Sequence, residues 1–121
     1  MITHIKLVSI VVTNQDKSLA FYTEKLGFKL VVDAPFEKAS RWIELQPPQG
    51  QTRLVLLKAG PGDARLGSLT NIVFTSDDID KTYFDLKVKG VHFKEPPSKQ
   101  PWGSFTQFTD PDGNVIVLAS Q

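Results

Sequence analysis

The chain has 121 residues, 40% hydrophobic and 22% charged, which suits one ordinary globular domain with a core that needs no covalent staples. It contains no cysteine, which excludes disulfides, thiolate zinc sites and cysteine nucleophiles and is compatible with a cytoplasmic location. Its formal net charge is +1 with acids and bases interspersed, so nothing suggests nucleic acid as a partner, and no apolar run approaches the length of a membrane span.

In chain order, the opening "MITHIKLVSIVV" lacks the charged start and small-residue cleavage site of a signal peptide and reads as a first strand. Asn14 then caps a helix that carries Leu19, Tyr22 and Leu26 on one face and stops at Gly27. The strands "FKLVV" and "RWIEL" follow. The turn "QPPQG" leads to the strand "RLVLL", and "KAGPGDARLGS", from Lys58 to Ser68, reads as a Gly-rich linker.

The second half repeats the first. At an offset of 64 residues Asn14 meets Asp78, Asp16 meets Asp80, Lys17 meets Lys81 and Ser18 meets Thr82. The second helix carries Ile79, Tyr83 and Leu86 and stops at Gly90. At an offset of 63 Trp42 meets Phe105, Glu44 meets Gln107, Pro48 meets Pro111 and Gly50 meets Gly113, so "QPPQG" and "TDPDG" read as one hairpin turn in two copies. The fold class is therefore α+β: two tandem βαβββ modules with pseudo-two-fold symmetry, forming a curved mixed sheet around a cleft. Module one spans about 1–58, the linker about 59–68 and module two about 69–121, all in a single domain.

The run "DKSLAFYTEKLGFKLV" with the terminal "DPDGN" resembles the glyoxalase / bleomycin resistance protein / extradiol dioxygenase family, also called the vicinal oxygen chelate superfamily. The resemblance spans essentially the whole chain. It implies a fold whose metal-dependent members hold a divalent ion with histidines and glutamates at equivalent strand positions of the two modules. Carried onto this sequence, those positions are Leu7, Leu56, Asn71 and Val117. Only Asn71 has a donor atom, and a neutral amide oxygen is a poor ligand for zinc, iron or nickel. His4 and His92 fall away from these positions and read as surface or structural residues. No cofactor and no metal are expected.

Strand alternation predicts what lines the cleft instead. Ser9, Trp42, Glu44, Asn71, Phe105, Gln107 and Val117 face it, while Ile10, Ile43 and Leu45 pack under the helices. The loop "EPPSKQPWGS" offers Trp102 as a pocket wall, and "VDAPFEKAS" offers Phe36 as a lid residue. Such an apolar and aromatic pocket with a few polar groups, Ser9, Glu44, Asn71 and Gln107, suits a small, partly aromatic ligand. The resemblance also implies pairing, so a homodimer is expected. Two other readings compete. One is a lyase or dioxygenase of the same superfamily with atypical ligands, or a metal-free enzyme using Glu44 as general base. The other is a dimeric interaction module without a small ligand.

Overall fold

The computed structural model describes the whole chain, residues 1–121. Its secondary structure follows the repeat: nine strands, two α-helices and one π-helical turn, divided into two compact units, Met1–Leu66 and Gly67–Gln121. No helix is long and apolar enough to cross a membrane.

The first unit contains β1 (Leu7–Val12), α1 (Gln15–Ala20), β2 (Lys29–Phe36), β3 (Ser40–Gln46) and β4 (Arg53–Lys58). Its sheet runs in the order β1-β4-β3-β2, with β1 and β4 parallel and the other pairs antiparallel. Asn14 caps α1 as expected, accepting from the Lys17 N–H at 3.0 Å. The helix does not keep its period to the end. Phe21–Lys25 form a π-helical turn, closed by the Leu26 N–H on the Phe21 carbonyl at 3.3 Å. The wider turn buries two consecutive aromatics, Phe21 and Tyr22, where the 3.6-residue period assigned only Tyr22 to the core. On the helix side of the sheet Ile10, Ile43, Leu45, Leu54 and Leu56 are buried.

Gln15 is also buried there. Its amide donates to the Arg41 carbonyl at 2.6 Å and the Leu56 carbonyl at 3.0 Å, and accepts from the Arg41 N–H at 3.0 Å. It bridges β3 to β4 where their paired stretch ends at Ile43 and Leu56. Strand β2 is longer than expected: Val32–Phe36, read from sequence as the start of a loop, stay paired with β3.

The second unit contains β5 (Leu69–Ser76), α2 (Ile79–Val88), β6 (His92–Phe93), β7 (Ser98–Gln100), β8 (Gly103–Thr109) and β9 (Val115–Ser120). The order is β5-β9-β8-β6, with β7 also on β8. Asp78 caps α2 by accepting from the Lys81 N–H at 3.1 Å. The position of β2 is split here into β6 and β7, because Pro96 and Pro97 supply no N–H to a ladder. Ser98–Gln100, expected within a loop, pair with β8. The core on the helix side is aromatic, with Tyr83 against Phe93 at 4.8 Å and Phe93 against Phe108 at 5.7 Å between ring centroids.

The two hairpin turns, matched in sequence, differ in structure. Gly113 adopts φ +77°, whereas Gly50 shows no positive φ. The Asp110 carboxylate accepts from the Asp112 and Asn114 backbone N–H groups, both at 2.9 Å, and from the Asn114 amide at 2.9 Å. Asn114 in turn accepts from the Gly67 N–H at 2.9 Å. "QPPQG" has no aspartate to build such a turn; there the Gln46 amide donates to the Gly50 carbonyl instead.

Candidate functional site

Each sheet has one face under its helix and one face turned away from it, and most sequence-predicted site residues lie on the second. In the first unit, cross-strand pairing places Ser9, Val55, Glu44 and Val32 in one row. Val11 and Leu57 are paired in the next position along, as are Trp42 and Ala34. Ser9 is exposed; Trp42 and Glu44 are half-buried.

Glu44 is already engaged. It accepts from the Trp42 indole N–H at 2.7 Å and from Arg53 at 2.9 Å, and Arg53 also reaches Gln46 at 3.3 Å. The indole hydrogen bond first, and the Arg53 guanidinium second, hold the Glu44 carboxyl below the usual carboxylate range, against the opposing effect of burial. A carboxylate so stabilised is a weak proton acceptor, which disfavours Glu44 as a general base. The Phe36 ring packs on Trp42 at 5.3 Å and 63°, so Phe36 extends the sheet surface.

In the second unit Val73, Val117 and Gln107 form one row, and Thr75, Ala119, Phe105 and Ser98 the next. Gln107 and Phe105 are exposed, Val117 half-buried. Gln107 and Phe105 also line a shallow concavity of about 190 Å³ with Lys94, Glu95, Pro96 and Ser98, beside the break between β6 and β7. Trp102 lies apart from these rows. It occupies the two-residue tip of the β7–β8 hairpin and is 80% exposed.

Two of the positional matches made from sequence need correction. The residue of β4 equivalent to Val117 is Val55, not Leu56. Val55 pairs with Ser9 and Glu44 as Val117 pairs with Val73 and Gln107, whereas Leu56 is buried on the helix side with Ile10 and Ile43. The ladder counterpart of Leu7 is Leu69, because Leu7 pairs with Arg53 and Leu69 with Val115; Asn71 sits in an irregular stretch of β5. Each error is a one- or two-residue slip, invisible without the register.

The donors present do not fit the divalent ion of the metal-dependent relatives. Leu7, Val55, Leu69 and Val117 are apolar, and no group of three or more His, Asp or Glu lies close enough to hold a metal ion. His4 precedes β1 and meets only its neighbour Thr3, at 3.0 Å. His92 is a single exposed imidazole at the far end of the row that runs through Thr109 and Val115 to Leu69.

The profile of the glyoxalase/bleomycin resistance protein/dioxygenase superfamily matches residues 2–118. The chain belongs to that superfamily. The chain is 38% identical to the uncharacterized protein YetH of Bacillus subtilis over 98% of both chains. A superfamily member from Sphaerobacter thermophilus has the same fold at a TM-score of 0.89, with 36% identity over 99% of this chain and 98% of that one. TnmS3, an antibiotic binding protein from Streptomyces sp. CB03234, follows at a TM-score of 0.86, with 35% identity over 98% of this chain and 96% of that one.

Sequence reasoning missed Gln15 and Arg53. The repeat contained a signal for Gln15, since its counterpart 64 residues on is the buried Ile79. Arg53 gave no signal, because its role depends on the β3–β4 register.

Proposed function

We propose that this superfamily member is a metal-independent binding protein for a small, planar, partly aromatic molecule, and that the sheet faces turned away from the helices supply the contacts. The observation that carries this reading is the state of Glu44, the only carboxylate in the paired rows of the first sheet's outward face. It is consumed by Trp42 and Arg53 and leaves neither a ligand for an ion nor an effective base. What remains for a ligand on the outward face of the first unit is Trp42 and Ser9, and on that of the second unit Phe105, Gln107, Asn71 and Val117, all aromatic or neutral. The likeness to an antibiotic binding protein supports binding without chemistry.

We assign the protein to the cytoplasm, in keeping with its cysteine-free composition. We also propose that it works as a homodimer. Phe84 and Val88 on α2, 64% and 71% exposed, and Leu30 and Val31 on β2 are apolar surface that pairing could cover. Light scattering checks the dimer, and a monomer at micromolar concentration contradicts it. The binding reading is tested by titrating metal-stripped protein with planar bicyclic aromatics, 2-quinolone among them, while following tryptophan fluorescence. Saturable quenching is expected; no response across the set overturns the reading.

A further inference from the structure

The β5–β9 ladder contains an irregularity that β1–β4 lacks. Leu7–Val12 pair with Arg53–Lys58 without a break. On β5, by contrast, Leu69 pairs with Val115 and Val73 with Val117, so four steps along one strand match two along the other. The extra residues form a bulge of Thr70, Asn71 and Ile72. Asn71 lies at φ +61°; the only other non-glycine residues with positive φ, Glu37 and Ala39, are in the β2–β3 turn.

The bulge is fastened from within. The Thr70 hydroxyl donates to the Val115 carbonyl at 2.8 Å and accepts from the Ile72 N–H at 3.2 Å. Asn71 itself is exposed, and its carboxamide makes no hydrogen bond within the chain. Asparagine tolerates the left-handed region better than most residues, and a bulge re-aims the side chain it carries. Strand neighbours Leu69 and Val73 and ladder residues Val117 and Gln107 are apolar or neutral, so nothing adjacent in the ladder competes by charge for a ligand.

Building on the binding reading above, we propose that Asn71 is its specificity-determining residue. Its carboxamide selects neutral planar ligands that carry a hydrogen-bond donor and an acceptor side by side on one edge, as a lactam does. Thr70 is a positioning residue that acts by holding the bulge. A primary amide offers one donor and one acceptor in the same plane, the complement of a lactam edge. A ligand lacking the donor leaves the amide oxygen unpaired against it, which costs affinity.

The test compares 2-quinolone with N-methyl-2-quinolone, which has the same ring and carbonyl but no N–H. Wild-type protein is expected to prefer 2-quinolone by about tenfold. Asn71→Gly accommodates the φ of the bulge but removes the amide, so it should keep its melting temperature and bind both compounds equally. Thr70→Val should lose most of the preference while still binding N-methyl-2-quinolone. Equal affinities in wild type, or a preference that survives Asn71→Gly, overturn the inference and leave the binding reading intact. A wild type that quenches with other planar aromatics but not with 2-quinolone also overturns the inference alone. A wild type that responds to none of them overturns the binding reading and the inference with it.

Discussion

The indole N–H of Trp42 donates to Oε2 of Glu44 at 2.7 Å, while Arg53 holds the other carboxylate oxygen at 2.9 Å. The carboxylate therefore orients an aromatic ring on the outward sheet face, and Arg53 compensates its charge. Glu44→Gln keeps the size of the group but weakens both contacts. It should destabilise the protein by about 1–2 kcal/mol in chemical denaturation at pH 7, less than a fully buried pair because Arg53 is partly exposed.

The same relationship sets a pH dependence. The folded-state pKa of Glu44 is depressed, chiefly by Trp42 and then by Arg53. Its contribution to stability is thus complete above the unfolded carboxylate range, about 4.3, and is lost as pH falls through the lower folded value. Asp33 is depressed likewise by its hydrogen bond from Arg41. Melting temperatures should fall steeply below pH 4 in the wild type and less steeply in Glu44→Gln, where only the Asp33 contribution of the two remains. Parallel acid limbs would show that ionised Glu44 adds nothing to the stability of the fold.

Ser18 presents the opposite case. It is 1% exposed and its hydroxyl has no partner in the protein. The repeat explains why: its counterpart Thr82 bonds to the Ser76 hydroxyl at 2.7 Å, but the residue matching Ser76 is Val12. Ser18→Ala should raise stability by about 0.5–1 kcal/mol, because a buried hydroxyl without a protein partner is removed. A loss of stability would show that the hydroxyl has a partner after all.

The Asp110–Asn114 turn should be among the most sensitive positions. Asn114 is 1% exposed and joins the turn to Gly67, and the Asp110 carboxylate accepts from the Asp112 and Asn114 backbone N–H groups and from the Asn114 amide. Asn114→Ala should cost about 2–4 kcal/mol in denaturant melts. A cost below 0.5 kcal/mol would show that the network is replaceable.

What was legible in the sequence was whatever repeats with a period. The helix caps Asn14 and Asp78, the burial of Ile10, Ile43 and Leu45, and the outward placement of Trp42 and Glu44 all follow from alternation or helical spacing. The misses lie where local geometry interrupts the period. The bulge at Asn71 displaces the repeat by two residues, the π-helical turn at Phe21 rotates a helix face, and a proline pair splits one strand into β6 and β7. Side-chain bonds such as Gln15 to Leu56 join residues far apart in sequence, and no window along the chain contains both partners.

The two tryptophans separate contributions to ligand response. Trp42 is half-buried against Phe36, whereas Trp102 stands exposed at a hairpin tip. If planar aromatics contact the outward sheet face, Trp42→Phe should abolish most of the quenching and lower affinity severalfold. Quenching that survives in Trp42→Phe and disappears in Trp102→Phe would place the ligand at the hairpin tip.

Calorimetric titration with 2-quinolone decides whether binding needs a metal. Protein stripped with a chelator is compared with the same protein loaded with nickel, zinc or iron, with metal content measured in each. The same affinity is expected in every preparation, with no ion that survives chelation. Binding that appears only after loading, or one ion per chain that resists the chelator, would contradict it.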